Sequence, residues 1–310
     1  MQILKRETHI DFIGQSRPAA IFSGLLILIS VVSLAIQGLN LGLDFTGGTL
    51  VELHYPQQVE LHGVRATLAE AGFPDAVVQY FGSAQDVVIR LAPEHGEAQQ
   101  VSQQVLQSLR AGGGKPELQR VVFVGPQVGE QLTTKGGLAM LYAIIGILVY
   151  TAFRFEYRFA AGAILALIHD VIVTIGFFSV LQLEFDLTVL AAVLAIIGYS
   201  VNDTIVIFDR IRENFARLRK RTPVEIANIS INQTLSRTLM TGGITLAVSV
   251  VLYVLGPELI AGFSLAMIVG VIAGAYSTVY IASAAALTLG ISKTDMVPPK
   301  KEGAELEERV

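Results

Sequence analysis

The sequence predicts a polytopic α-helical membrane protein with six transmembrane helices and one α+β domain of ferredoxin-like (βαββαβ) order. The 310-residue chain is 52% hydrophobic and only 15% charged, whereas soluble domains average about 25% charged residues. Six apolar stretches approach the ~20 residues that are needed to cross a bilayer. The long segment between the first two stretches, residues 38–135, instead alternates between strand and helix patterns.

The six apolar stretches are spaced so that the first stands apart from the other five. They run over 18–36, 136–153, 159–181, 187–208, 238–255 and 263–289. The first has no clear small-x-small cleavage site and is followed by a motif, which favours a membrane span over a cleaved signal. The last is long enough for either a tilted helix or a helix followed by an interfacial turn.

The distribution of Lys and Arg predicts the orientation of the spans. Basic residues occur in the N-terminal segment 1–17, the turn 154–158, the connection 209–237 and the tail 291–310, but not in the turns 182–186 and 256–261. Both termini are therefore expected in the cytoplasm and the domain 38–135 on the opposite side. The basic run 217–221 favours contact with anionic lipid, with a specific cytoplasmic partner as the alternative.

The domain 38–135 follows the order strand, helix, strand, strand, helix, strand. Strand patterns cover 49–55, 77–81, 87–91 and 118–124, and helical patterns cover 59–71 and 99–109. Residues 82–85 form the turn between the second and third strands, and three glycines at 112–114 end the second helix. This is the element order of a ferredoxin-like domain.

Two ionisable residues, Asp203 inside the fourth stretch and Arg237 at the start of the fifth, are the main functional candidates. A charge inside a bilayer costs at least ~2.5–3.5 kcal/mol. Helical spacing puts Ser200 on the face of Asp203, with Asn202 beside it, and Thr241 on the stripe of Arg237. A low dielectric favours a neutral carboxyl and a nearby Arg favours the ionised form, so a movable pair would act as a proton switch. The alternatives are helix packing for Asp203 and membrane anchoring for Arg237.

A second polar position, His169 with Asp170, lies about ten residues into the third stretch, which is ~15 Å deep. Gly162, Ala166, Asp170 and Thr174 recur at helical spacing, so one face of this helix is small and polar. We expect that face to pack against protein, because lipid offers it no partner. His169 and Asp170 either line a proton route or hydrogen-bond neighbouring helices together.

The sequence lacks the common enzyme and metal motifs. It contains no Cys, which excludes disulfides and thiolate metal sites. It has no phosphate-binding loop and no metal-spaced pair among its five His. We therefore expect no catalytic residue, no cofactor, no metal and no direct use of ATP. The net charge of −4 gives no indication of nucleic-acid binding.

Three motifs together resemble a known family. They are Leu41-Gly42-Leu43-Asp44-Phe45-Thr46-Gly47-Gly48-Thr49, Val124-Gly125-Pro126-Gln127-Val128-Gly129, and the run Gly198-Tyr199-Ser200-Val201-Asn202-Asp203-Thr204 with its continuation to Asn214 and through 232–238. The chain is similar over nearly its whole length to the SecF subunits of the bacterial Sec translocase, in the SecD/SecF family of the resistance-nodulation-division superfamily. Gly42, Asp44, Phe45, Gly47 and Gly48 form the structural motif of this resemblance.

The resemblance implies a function in protein export at the bacterial inner membrane. It implies an obligate complex with SecD, in which protons flowing inward move the periplasmic domains and so pull or hold preproteins. Those preproteins would arrive through the SecYEG channel with SecA, and YajC and YidC are expected as further partners. The essential intramembrane acid and base of the family match Asp203 and Arg237, and a further family Asp belongs to SecD. The alternatives are half of a proton-driven small-molecule or lipid exporter, or a scaffold that transports nothing.

Overall fold

The computed structural model describes residues 8–93, 98–218 and 220–291. In chain order its elements are α1 (Ser16–Ile36), β1 (Asn40–Leu41), α2 (Leu43–Thr46), β2 (Gly48–His54), α3 (Leu61–Glu70), β3 (Val77–Phe81), β4 (Ser83–Leu91), α4 (Ala98–Ala111), β5 (Glu117–Val124), α5 (Pro126–Arg154), α6 (Tyr157–Val180), β6 (Glu184–Phe185), α7 (Leu187–Arg217), α8 (Pro223–Leu255), α9 (Ala261–Ser277) and α10 (Ser283–Thr288). Six helices in the described residues are long and apolar enough to cross a membrane.

The last of these six helices is continuous from Glu258 to Thr288. It begins with a short 3₁₀ turn, and a π-helical segment over Thr278–Ala282 joins α9 to α10. Of the two predicted possibilities, the structure therefore contains a single long helix and no separate interfacial turn.

Several helices extend beyond the apolar stretches that predicted them. The connection 209–237 is largely helical, because α7 continues to Arg217 and α8 already begins at Pro223. The start of α8 is fixed by a capping box, in which the side chains of Thr222 and Glu225 each bond the backbone of the other. Polar residues thus belong to the same helices as the apolar spans.

The four long strands form one antiparallel sheet in the order β3-β4-β2-β5. Strand β2 buries alternate residues, Val51 and Leu53 among them, against the side chains of α3 and α4 such as Leu68 and Val105. All six predicted elements of residues 38–135 are confirmed, but the predicted turn at 82–85 is wrong, because residues 83–85 already belong to β4. The third strand starts earlier than predicted, because Gly82 makes the turn with a φ of 76°.

Helices α6 and α7 occupy the centre of the helical bundle. Within their most apolar windows, 50% of α6 and 56% of α7 are buried, against 17% of α1, 11% of α5 and 17% of α8. The outer helices therefore present apolar side chains to their surroundings, as helices in contact with lipid or with a partner subunit do.

Candidate functional site

Asp203 lies on the inner face of α7 and is only 3% exposed. Its Oδ2 atom is buried and has no hydrogen-bond partner. The neighbours one turn away on the same face, Ser200 and Ile207, are buried as well. A buried carboxyl oxygen without a partner is costly and needs an explanation, such as a proton or a side chain that binds in another state of the site.

Arg237 lies at the same depth on the neighbouring helix α8. Asp203 is fourteen residues before the last residue of α7, Arg217, and Arg237 is fourteen residues after the first residue of α8, Pro223. Both are thus about 21 Å from the turn between these helices. The Arg237 charge acts on Asp203, but among the described contacts no ion pair within 4.0 Å joins them, and Arg237 is exposed.

Most of the unsatisfied buried polar atoms lie on α7 and α8, which carry these two residues, or on the adjacent helix α6. Among the described residues, six buried side-chain N or O atoms lack a hydrogen-bond partner. Four of the six lie on α6, α7 and α8, namely His169 Nε2, the Tyr199 hydroxyl, Asp203 Oδ2 and Thr238 Oγ1. Of these, the Tyr199 hydroxyl lies close to the side chains of Thr241 and Thr245 on α8. Tyr199 precedes Asp203 by one turn, and Thr238 directly follows Arg237. Polar groups without a partner are costly inside an apolar helix bundle.

Asp170 is the centre of a buried hydrogen-bonded cluster that joins α6, α7 and α9. Its carboxyl is fully buried, and its Oδ2 accepts from Ser200 Oγ at 2.6 Å and from Ser277 Oγ at 2.7 Å. Its Oδ1 lies 3.0 Å from His169 Nδ1. Since Ser200 is one turn from Asp203, the cluster reaches the candidate proton site through one hydroxyl.

The small polar face predicted for the third span is confirmed as a packing surface. Ala166, Asp170 and Thr174 are all 0% exposed, and Gly162 is also buried. A Cβ atom on Gly162 would lie 2.6 Å from the Ala282 carbonyl oxygen, so this helix approaches the π-helical segment very closely. The physical reason is that glycine and alanine permit backbone contact between helices.

Several polar residues of the last span belong to the site and were missed by the sequence analysis. Ser277 bonds Asp170, and Thr278 Oγ1 lies 3.0 Å from Thr204 Oγ1. Tyr276 donates to the Ala19 carbonyl at 2.7 Å, and its hydroxyl lies 2.9 Å from Ser23 Oγ. Ser277 and Thr278 stand at the start of the π-helical segment, a distortion that is frequent at functional sites. The only signal in the sequence was a run of small polar residues within an apolar stretch.

The structure places the two remaining supporting candidates outside this cluster. Asn202 is exposed on the adjoining face of α7. Thr241 is half-buried, and its Oγ1 donates to the Arg237 carbonyl at 3.0 Å within its own helix. Ser200, His169 and Asp170 are therefore brought together in one cluster, which meets Asp203 only through the position of Ser200 one turn before it on α7, whereas Asn202 and Thr241 lie outside that cluster.

The glycine-rich motif forms a turn, residues 42–48, that contacts the start of α7. The Gly42 N–H donates to the Phe185 carbonyl at 2.9 Å, and Asp44 Oδ2 accepts from the Leu187 N–H at 3.1 Å. The Phe45 ring stacks on Phe185 with centroids 6.2 Å apart. We call residues 42–48 the glycine turn; it contains a short helix that the sequence pattern did not predict.

A metal site was not expected, and the described residues contain no group of three or more His, Asp or Glu that could hold a metal ion. The ionisable side chains of this region are the buried carboxyls of Asp203 and Asp170, the buried imidazole of His169 and the exposed guanidinium of Arg237.

The comparisons with family models and with known proteins agree with one another. The family model "Protein export membrane protein SecD/SecF, C-terminal" matches residues 104–292, and the SecD/SecF GG motif matches residues 32–59. Similar proteins named Protein translocase subunit SecF include those of Vibrio alginolyticus (49% identical; 99% of this chain and 99% of the relative) and Pseudomonas aeruginosa (50% identical; 94% and 95%).

A solved structure is similar as well. The crystal structure of SecDF, described as a translocon-associated membrane protein from Thermus thermophilus, matches with a TM-score of 0.84 and 37% identity. The match covers 93% of this chain but only 39% of that longer chain. A SecDF structure in a super-membrane-facing form matches over the same shares with a TM-score of 0.69.

Proposed function

The chain belongs to the SecD/SecF family of protein export membrane proteins, and from this premise we propose that it uses the proton gradient, together with SecD, to drive or complete preprotein export. Its relatives are named protein translocase subunits, and the six long apolar helices of the described residues support a multi-pass membrane protein. The observation that carries the proposal is the buried Asp203 carboxyl, with one unpartnered oxygen, beside the charge of Arg237.

The proposed mechanism depends on the competition between burial and the Arg237 charge. Burial of Asp203 favours the neutral carboxyl, whereas approach of the guanidinium favours the ionised form. Proton binding would therefore weaken the attraction between α7 and α8, and proton release would restore it. A membrane potential supplies about 2.3 kcal/mol per charge per 100 mV, which is enough to bias a movement of packed helices.

The exposure of Arg237 supports a partner subunit on this side of the bundle. Arg237 directly precedes the apolar stretch 238–255 and would find no counter-charge in lipid, since ionisable residues in membrane helices face protein or water. We propose that SecD covers α8 and supplies a carboxylate to Arg237. SecYEG with SecA, YajC, YidC and unfolded preproteins are the further partners that family membership suggests, with lipid around the helices and no nucleic acid.

We propose that His169 and Asp170 continue the proton path from Asp203 into the bundle. Asp170 shares Ser200 with the face of Asp203, and the buried Nε2 of His169 has no partner among the described residues. A buried imidazole next to a carboxyl can accept a proton at one nitrogen and release one from the other.

The orientation of the chain belongs to the same proposal. The basic segments 1–17, 209–237 and 291–310 would be cytoplasmic, and residues 38–135 would form a periplasmic domain at the bacterial inner membrane. The strand order β3-β4-β2-β5 supports a ferredoxin-like domain, because β2, the first of the four long strands, lies between the third, β4, and the fourth, β5. The protein would have no ATPase or hydrolase site of its own.

The test is preprotein export by membrane vesicles that contain the complex with Asp203→Asn. We expect the stimulation of export by a proton gradient to be lost. Asp209→Asn is the matched control, since Asp209 lies on the same helix with its side chain 40% exposed. If export and its dependence on the gradient are unchanged in Asp203→Asn, the proposed role of Asp203 is wrong.

Arg237 is tested with two replacements. Lys keeps the positive charge but loses the planar fork of donors, and Ala removes both. We expect Ala to abolish gradient-dependent export and Lys to retain part of it. Full activity with Ala would show that Arg237 only anchors the helix in the membrane.

A further inference from the structure

We propose that Arg90 and Glu184 are positioning residues which, with the glycine turn, transmit displacements of α7 to the four-stranded sheet. The proposal rests on the proposed function, because it assumes that proton binding at Asp203 displaces α7. It adds the structural connection by which such a displacement would reach the domain of residues 38–135.

The first part of this connection joins the glycine turn to α7. Strand β1 pairs in parallel with β6, which immediately precedes α7. Asp44 accepts from the N–H of Leu187, the first residue of α7, which is one of the backbone donors that a helix start leaves unpaired. Asp203 is sixteen residues further along the same helix, about 24 Å away. A shift of α7 along its axis therefore acts directly on the glycine turn.

The second part joins the glycine turn to the sheet. Gly48 is the first residue of β2, and its φ of 123° is strained for any residue with a side chain. A Cβ atom at Gly48 would collide with the Leu91 carbonyl oxygen at the end of β4. The same turn is held against α5, since a Cβ atom on Gly129 would lie 3.0 Å from the Phe45 carbonyl oxygen. The turn thus enters a central strand of the sheet without a flexible linker.

The third part is a direct ion pair between the sheet and the segment before α7. Arg90 on β4 donates from Nη2 to Glu184 Oε2 at 2.7 Å, and the Arg90 side chain is only 10% exposed. The ion pair of Arg120 with Glu52, in contrast, lies within the sheet. The Glu184 side chain is 32% exposed. Charge-assisted hydrogen bonds are shorter and stronger than neutral ones, so this contact favours one relative position of the two parts of the molecule.

The surroundings of Glu184 make this contact sensitive to change. Burial raises the pKa of Glu184 above its usual range, the Arg90 charge opposes that shift, and the carboxylates of Asp186 and Asp44 add to it, while the Gln79 side chain bonds the carboxylate. Without Arg90, three acidic side chains would face one another. The contact therefore has an attractive state with Arg90 in place and a repulsive state without it.

The experiment measures the distance between the sheet, which should move with α7, and the C-terminal end of α6, the neighbouring helix that carries the second label, in the assembled complex. Because the chain contains no Cys, spin labels can be attached at Glu70→Cys on α3 and Leu181→Cys after α6, both of which are exposed. The complex is reconstituted in vesicles, and the label distance is recorded with and without a proton gradient. Preprotein export is measured on the same vesicles.

We expect the gradient to change the label distance in the parent protein and not in Arg90→Gln or Glu184→Gln. Export should fall in both variants by at least about fivefold, the lower end of typical coupling between sites. The charge swap Arg90→Glu with Glu184→Arg should restore the response, which a loss of stability alone would not explain. Arg120→Gln is the matched control and should respond like the parent.

The outcomes separate this inference from the proposed function. The inference is overturned if the gradient changes the label distance in Arg90→Gln and Glu184→Gln as it does in the parent. It is also overturned if the gradient leaves the label distance in the parent unchanged. If Asp203→Asn abolishes the response while Arg90→Gln keeps it, the proposed function stands and the coupling role of Arg90 falls. If Asp203→Asn retains both response and export, the proposed function itself fails.

Discussion

Replacement of Asp170 by Ala should destabilise the helical bundle strongly. Asp170 is fully buried, and its carboxyl bonds side chains from its own helix and from two others. The Ala variant leaves the hydroxyls of Ser200 and Ser277 buried without their acceptor. Each stranded polar group costs about 1–3 kcal/mol.

Local rearrangement sets the magnitude of this effect. Ser277 Oγ already lies 3.2 Å from the Gly274 carbonyl oxygen and can bond it instead of Asp170. Ser200 has Asp170 as its hydrogen-bond acceptor and would have to turn toward its own helix. We therefore expect Asp170→Ala to lower the free energy of unfolding by about 3 kcal/mol, which corresponds to one stranded hydroxyl and one that is partly compensated. Asp170→Asn keeps one acceptor oxygen and should lose about half as much.

The assay is reversible unfolding of the purified protein in mixed micelles, followed by helical circular dichroism. Asp209→Ala is the matched control: its ion pair with Arg154 is 38–40% exposed, and such surface pairs contribute about 0–1 kcal/mol. If Asp170→Ala and Asp209→Ala unfold with the same free energy, the buried cluster does not stabilise the bundle as described.

Three further predictions concern packing, pH and capping. Gly176→Ala should lower the free energy of unfolding in micelles by about 1–3 kcal/mol, because the added Cβ would lie 2.8 Å from Ser30 Cα. Gly24→Ala is the control and should unfold like the parent, because a Cβ there would have nothing within 4 Å. The pKa of Glu184 is raised in the folded state, so just above pH 4.5 the folded state still binds a proton that the unfolded state has released. The free energy of unfolding should therefore fall as the pH rises through that window. If it falls equally steeply with pH in the parent and in Glu184→Gln, this expectation is wrong. Asp44→Ala removes the acceptor of the Leu187 N–H; it should cost about 0.5–2 kcal/mol, as for other side chains that bond the N–H groups of a helix start, and speed hydrogen exchange at the start of α7. Unchanged exchange there would show that this bond is unimportant.

The elements of the sheet domain could be predicted because alternation of apolar residues follows directly from strand geometry. The ends of the long helices could not, because hydropathy falls at the first polar residues while a helix ends at a cap. Helix α8 begins at the capping box of Thr222 and Glu225, well before the apolar stretch that revealed it. Helix α7 likewise continues through its charged residues to Arg217.

The site was predictable where it contains charges in apolar surroundings. Asp203 and Asp170 stood out in the sequence for that reason, and both are buried in the structure. Ser277 did not stand out, because a serine in a membrane helix costs little and its contact with Asp170 depends on the packing of α9 against α6. The pair of Arg90 and Glu184 spans 94 positions of sequence, and no local pattern connects the two residues.

The most direct test of the central claim is to measure proton entry into vesicles while the complex exports a preprotein, with a pH-sensitive dye on the receiving side. Proton entry that accompanies export should occur in the parent and in Asp209→Asn and be lost in Asp203→Asn. Export-linked proton entry that persists at the parent rate in Asp203→Asn would contradict the claim that Asp203 couples proton flow to protein export.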